Sequence, residues 1–279
     1  MSEPKLSYTE RPENCNIDDA LAGIDIPIES AQAIRERSVE AEWLVENFLP
    51  EKTLTVISAK RGSMKTFFAY GLAVAVASGE AFLGRETKKR AVIYCDNDNP
   101  EVVIHKRVNM MGSPEGFNIW AKKLPEHQKN PPPPVDSPQG QIKYSNLIKR
   151  FQPCPLLIFD TFSLFYSAGK NLNHDVDMRS VTTAYNKLVA QNCTIVYLHH
   201  CSIGMEKGKP VRPLKGKGST VIEDDPDNAY ILHPTADKNA ILMYCEKNRL
   251  DMVPTRKLRM LREYTGMYGW VDISEGDED

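Results

Sequence analysis

Apolar positions along this chain fall into two patterns, short continuous runs and longer stretches with a helical period. The continuous runs, residues 54–57, 91–94, 155–159, 194–198 and 229–232, have the length and β-branched content of strands buried on both faces. Between them, residues 67–77 are apolar and Ala-rich, as a buried helix requires. Residues 101–111 place Val102, Val103, Ile104, Val108 and Met111 at roughly helical spacing before Gly112. Residues 142–151 predict another helix, and Val181, Tyr185, Leu188 and Val189 mark one more. Strands alternating with helices predict an α/β fold with a mainly parallel central sheet flanked by helices. Residues 240–245 and 257–261 predict a C-terminal antiparallel hairpin.

Other stretches lack these periods. Residues 1–38 are mostly polar and predict an arm, partly disordered, with a short helix and able to pack on a neighbour. Residues 42–50 predict a short helix or lid in which Trp43 and Phe48 are buried rather than stacked beside a base. Residues 124–140, with four consecutive prolines at 131–134, predict a mobile, extended loop, either facing the channel of a ring or making a surface excursion. The division expected is an arm at 1–38, one domain at 39–264 and an acidic tail at 265–279.

Composition narrows the class. A chain of 279 residues, 41% hydrophobic and 26% charged, can bury a large core. Its net charge of −2 excludes a globally basic binder, so contact with nucleic acid needs a local patch or a ring of subunits. Six scattered cysteines without a C-x-x-C pair fit free thiols in a reducing compartment. With no long apolar segment and a polar N-terminus, the expected location is the cytoplasm.

The stretch ISAKRGSMKTFF, residues 57–68, carries the chemistry. Strand, short loop and helix, with Lys65 and Thr66 at the helix start, form the layout in which backbone N–H groups cradle phosphates. In it the lysine meets the terminal phosphates and the threonine hydroxyl meets Mg²⁺. The predicted nucleotide cradle is Ala59, Lys60, Arg61, Gly62, Ser63, Met64, Lys65, Thr66 and Phe67, with ATP and Mg²⁺ as ligands. Ala59 and Met64 occupy the two positions where this pattern usually has glycine, and Gly62 lies inside the loop. About a hundred residues on, an apolar run closes on Asp160, the expected second Mg²⁺ residue beside Thr66. Asp98 is the favoured water-orienting base, with Asp96 in reserve and helix capping the competing role for both. His199 and His200 end a strand on alternate faces, so only one can point at the crevice. Lys207, Lys209, Arg212, Lys215 and Lys217 form a glycine-spaced basic loop. Around a ring it would line a hole for a sugar-phosphate backbone, and in a monomer it is a solvated loop.

Taken in order, Glu42-Trp43-Leu44-Val45, the phosphate loop, Asp98-Asn99-Pro100, Ile158-Phe159-Asp160-Thr161, the 173–178 loop, Leu198-His199-His200 and Gly218-Ser219-Thr220 resemble RepA-type hexameric ATPases. These are plasmid and phage relatives of the RecA and DnaB motors. The resemblance spans about residues 40–250 and implies a RecA-like P-loop core, a ring with ATP between subunits, and helicase action on single-stranded DNA. It places Asp98 at the position of the family's catalytic glutamate, His200 at the γ-phosphate sensor, and Lys247 and Arg249 at fingers reaching the next subunit's site. The competing expectation is a nucleotide-gated oligomeric scaffold or regulator with weak or no hydrolysis and no unwinding.

Overall fold

The computed structural model describes residues 28–202, 205–206, 209–210, 215–250, 254–262 and 268–274. Two compact units are present, residues 1–40 and 41–279. In the first, helix α1 (Ala31–Glu36) starts at Ser30, whose hydroxyl accepts the Ala33 N–H at 3.1 Å, and Arg37 pairs with Glu29. The remainder of the expected arm, residues 1–27, lies outside the described residues.

The second unit opens with β1 (Trp43–Val45) and β2 (Leu49–Pro50), an antiparallel pair where a helix or lid was expected. Asn47 turns the chain at φ 49°, and backbone bonds from Lys88 to Leu44 and from Glu46 to Glu86 hold the pair. Phe48 is fully buried, 4.8 Å from the Tyr230 ring, whereas Trp43 is half-buried.

The principal elements then follow in chain order. They are β3 (Leu54–Ala59), α2 (Lys65–Ser78), β4 (Val92–Asp96), α3 (Glu101–Met111), β5 (Phe117–Ala121), α4 (Pro138–Ile148), β6 (Leu156–Asp160), α5 (Asp175–Val189) and β7 (Thr194–Ser202). After them come β8 (Met205–Glu206), β9 (Lys209–Pro210), β10 (Lys215–Gly216), α6 (Val221–Asp224), β11 (Asn228–Pro234), β12 (Ala240–Asn248), β13 (Arg256–Arg262) and β14 (Tyr268–Asp272). The main sheet runs β14-β13-β12-β11-β3-β7-β6-β4-β5, with β10 added on β7. From β11 to β5 every pairing is parallel, and β12, β13 and β14 extend it antiparallel.

Side-chain alternation sends each strand's residues into two cores. Ile57 and Ala59 of β3 face α2, while Leu54 and Val56 join the layer built on α4, α5 and α6. An aromatic cluster fills that second layer, with Phe159 and Tyr185 ring centroids 5.0 Å apart.

Two segments differ from expectation. Residues 124–140 are not one extended loop but carry a 3₁₀ turn (Pro125–His127) and the first turn of α4, and their proline stretch packs as a strap. Prolines lack an N–H but keep a carbonyl. The Pro133 oxygen accepts the Tyr144 hydroxyl at 2.9 Å, and the Pro132 oxygen accepts the Asn97 side chain at 3.2 Å. Tyr268–Asp272, placed in the acidic tail by the sequence, is instead the edge strand β14. Trp270 brings it onto α2, donating to the Phe67 carbonyl at 3.1 Å. Gly71 makes room, since a Cβ there would sit 2.6 Å from the indole. Residues 275–279 lie outside the described residues.

Candidate functional site

The parallel strands β3, β4, β6 and β7 end at one rim, where ligands of open α/β sheets bind. At this rim a cleft of about 260 Å³ is lined by Lys60 to Phe67 together with Asp98, Asn99, Arg107, Asp160 and His200. Ala59, expected in the cradle, is fully buried as the last residue of β3 and supports the loop from behind.

The loop bends through two left-handed residues, Gly62 at φ 82° and Met64 at φ 59°. The position next to Lys65, where the motif favours glycine, thus has the backbone conformation glycine serves, held here by a methionine at a cost of about 1 kcal/mol. The Met64 side chain packs partly against the α2 core, which offsets that strain. Met64 caps α2 without a side-chain bond, and the N–H groups of the first helical turn point toward the cleft as an anion site.

Lys65 is 6% exposed, and its amine donates to Thr161 Oγ1 at 3.3 Å and to the His199 carbonyl at 3.2 Å. Burial pulls the ammonium below the usual lysine range, while the Asp160 charge opposes that shift. Thr161 Oγ1 donates to the Leu198 carbonyl at 2.7 Å, tying β6 to β7. Thr66 Oγ1 donates to Asp160 Oδ2 at 2.9 Å, so the two expected Mg²⁺ residues are in contact.

The two acids after β4 differ. Asp96 is fully buried. Its carboxylate accepts the Asp98 and Asn99 backbone N–H groups, each at 2.9 Å, and the Asn99 side chain at 2.8 Å. It shapes the turn. Asp98 is exposed and lines the cleft, with its carbonyl bonded by Lys123.

The histidines also divide. His199 is buried with Nε2 donating to the Lys217 carbonyl at 2.8 Å, while His200 lines the cleft. Burial, then the Lys65 charge, lowers the His200 pKa, and its Nδ1 is buried without a hydrogen bond. The sequence passed over Arg107. Its guanidinium lies 5.8 Å from the Phe67 ring centroid and Nη1 is buried without a hydrogen bond, in the wall of the cleft. The signal was a cation three residues after buried Ile104, on the inward side of α3.

Lys247 and Arg249 do not line this cleft. Lys247 donates to the Asp224 carbonyl and, at 2.6 Å, to that of Pro226, and Arg249 pairs with Asp227 at 3.3 Å. Of the basic loop, Lys207 and Arg212 lie outside the described residues, and Lys209 and Lys215 are described only as backbone of β9 and β10. Lys217 is exposed, and its N–H donates to the His200 carbonyl at 2.8 Å. Among the described residues no group of acids, histidines or cysteines forms a ready metal cluster, and no helix is long and apolar enough to cross a membrane.

Two buried groups here make opposite contributions to stability. Burial, with the Asp160 charge second, pushes the Asp96 carboxyl from 3.8 up to about 6. Burial pushes the His199 imidazole from 6.5 down to about 4. Folded Asp96 holds its proton more tightly than unfolded, so its stabilising share is full below 3.8 and is lost as pH rises through about 6. Folded His199 favours the neutral form, so its share grows as pH rises from about 4 to 6.5. The slopes oppose each other. Asp96→Asn therefore makes stability rise by about 2 kcal/mol between pH 4.5 and 6.5, and His199→Gln makes it fall by a similar amount. Urea unfolding at the two pH values checks this, and two variants that both track the wild type would contradict it.

The same fold occurs in proteins of known structure. An ATPase domain of known structure superposes with a TM-score of 0.58 at 14% identity, covering 92% of this chain and 99% of that one. A DnaB-like replicative helicase, solved in a study of its interactions with primase, gives 0.60 at 14% identity over 91% of this chain and 68% of that one. No curated protein matches the chain. The fold is that of RecA-like P-loop ATPase domains. A family model described as an AAA domain, AAA_25, matches residues 25–204, well over half the sequence, and the chain belongs to that family.

Proposed function

We propose that this chain is a Mg²⁺-dependent ATPase that works as a homo-oligomeric, hexameric ring on single-stranded DNA, most simply a replicative helicase of RepA type. The observation that carries the reading is the 2.9 Å contact between Thr66 and Asp160 at the rim, beside the buried Lys65 amine. The residues fit a metal-bound triphosphate, since the cleft combines a helix N-terminus, an acid-hydroxyl pair and two buried nitrogens, Arg107 Nη1 and His200 Nδ1, without hydrogen bonds. Bound Mg²⁺ would supply charge neutralisation for the phosphates, held by Thr66 and Asp160.

In this mechanism Lys65 leaves Thr161 and the His199 carbonyl to meet the terminal phosphates, and Arg107 adds a second cation from α3. Asp98 orients the attacking water and takes its proton. His200, in which burial and then the Lys65 charge disfavour the charged imidazole, reads the γ-phosphate. Movement at Lys65 passes to the basic loop through His199, whose carbonyl holds the amine and whose ring holds Lys217. Lys247 and Arg249 serve the site of a neighbouring subunit, and Lys207, Lys209, Arg212, Lys215 and Lys217 face the DNA.

A second reading, a nucleotide-gated scaffold with weak or no hydrolysis and no unwinding, draws on Ala59 and the strained Met64 at the two glycine positions and on Asp98, one methylene shorter than the glutamate of RepA-type ATPases. ATP hydrolysis with and without single-stranded DNA, followed by strand displacement, separates the two. Stimulated hydrolysis with unwinding is the expected result, and tight nucleotide binding with neither supports the scaffold. Native mass measurement with and without ATP reads the ring directly.

A further inference from the structure

Asp160 has a partner from an unexpected direction. Tyr94, two residues before Asp96 on β4, is fully buried, and its hydroxyl donates to Asp160 Oδ2 at 2.9 Å, the same oxygen that Thr66 reaches. Its ring is clamped by Tyr70, with centroids 4.6 Å apart, and by Phe117 at 6.3 Å. The phenol has no other hydrogen-bond partner among the described residues, and a buried hydroxyl without one is costly. Asp160 is itself 4% exposed and is the Cα register partner of Asp96, so a second buried carboxylate lies across the strand pair. Two donors therefore hold Oδ2, one from α2 and one from β4. Oδ1 accepts no hydrogen bond among the described residues, and Asp160 lines the cleft.

We propose that Tyr94 is a positioning residue for metal binding, locking Asp160 so that its Oδ1 is presented to a hydrated divalent cation on the nucleotide. The inference rests on the Mg²⁺-nucleotide reading of the cleft and adds a residue from beneath it. Aromatic packing alone would be served equally by phenylalanine at this position. The hydroxyl therefore acts through Asp160, and its effect is confined to the metal-dependent part of binding.

The test is calorimetric titration of ATP into the full chain, wild type and Tyr94→Phe, once with excess Mg²⁺ and once with excess chelator. With chelator the two proteins bind alike. With Mg²⁺ the gain in affinity is smaller by roughly ten-fold in Tyr94→Phe, as for loss of one hydrogen bond to a charged group. On an Asp160→Asn background the same change has no further effect on the Mg²⁺-dependent gain. An equal gain in both proteins, or an affinity loss of the same size with and without the metal, overturns the positioning role while the nucleotide reading stands. Wild-type protein that gives no heat with Mg²⁺ and ATP overturns the nucleotide reading itself.

Discussion

Lys65→Ala abolishes nucleotide binding and leaves the fold intact. The amine sits at the tip of α2, where the helix N-terminus and the cleft converge, and its partners among the described residues are a hydroxyl and a carbonyl. Phosphate oxygens are stronger acceptors for an ammonium than either, so removing it costs about 100-fold or more in affinity. Stability behaves differently. Burial lowers the Lys65 pKa in the fold, so the charged amine is destabilising at neutral pH, and that burden lifts as pH rises toward the ordinary lysine value of 10.5. The alanine variant lacks this rise, as thermal melts taken from pH 7 to 10.5 would show. Binding unchanged by the substitution would mean that the loop has been misassigned.

Asp98→Asn is expected to separate binding from chemistry. The side chain lines the mouth of the cleft and is exposed, whereas Asp96 is occupied by three hydrogen bonds within its own turn. A base that orients water and takes its proton contributes about 10²–10⁴-fold, so turnover falls by that factor while ATP affinity stays within about two-fold. Asp98→Glu, one methylene longer, reaches further over the cleft and raises turnover. Steady-state hydrolysis read beside a binding titration decides the matter. Turnover that survives Asp98→Asn moves the base elsewhere and favours the scaffold reading.

Much of this site was legible because its signals are local. The runs ending at Ala59, Asp96, Asp160 and His200 are continuous and apolar, and the residues at their ends meet at one rim once the strands are parallel. Which of two neighbours faces the cleft was harder to read. Strand alternation allows either histidine, and the choice of His200 follows from His199 being drawn to Lys217, eighteen positions along the chain. Asp96 is drawn into a turn whose N–H groups find its carboxylate, and Asp98 is the one that lines the cleft.

The failures were long-range. Residues 42–50 have a helical look, yet they pair with one another as β1 and β2, and residues 86 and 88 bond that pair from outside. The strap at 124–140 is ordered by proline carbonyls, which no composition reports. Strand β14 follows from Trp270 fitting over Gly71, a contact across about two hundred residues that leaves no pattern in either segment. Arg107 was hidden because a cation on an amphipathic helix reads first as solvated.

The account stands or falls on Mg²⁺-ATP entering the cleft at the tip of α2. Isothermal titration of the wild-type chain with ATP in excess Mg²⁺ tests this most directly. The predicted result is a saturable one-site heat that weakens when the metal is chelated and disappears in Lys65→Ala. A flat titration of well-folded wild-type protein would contradict it.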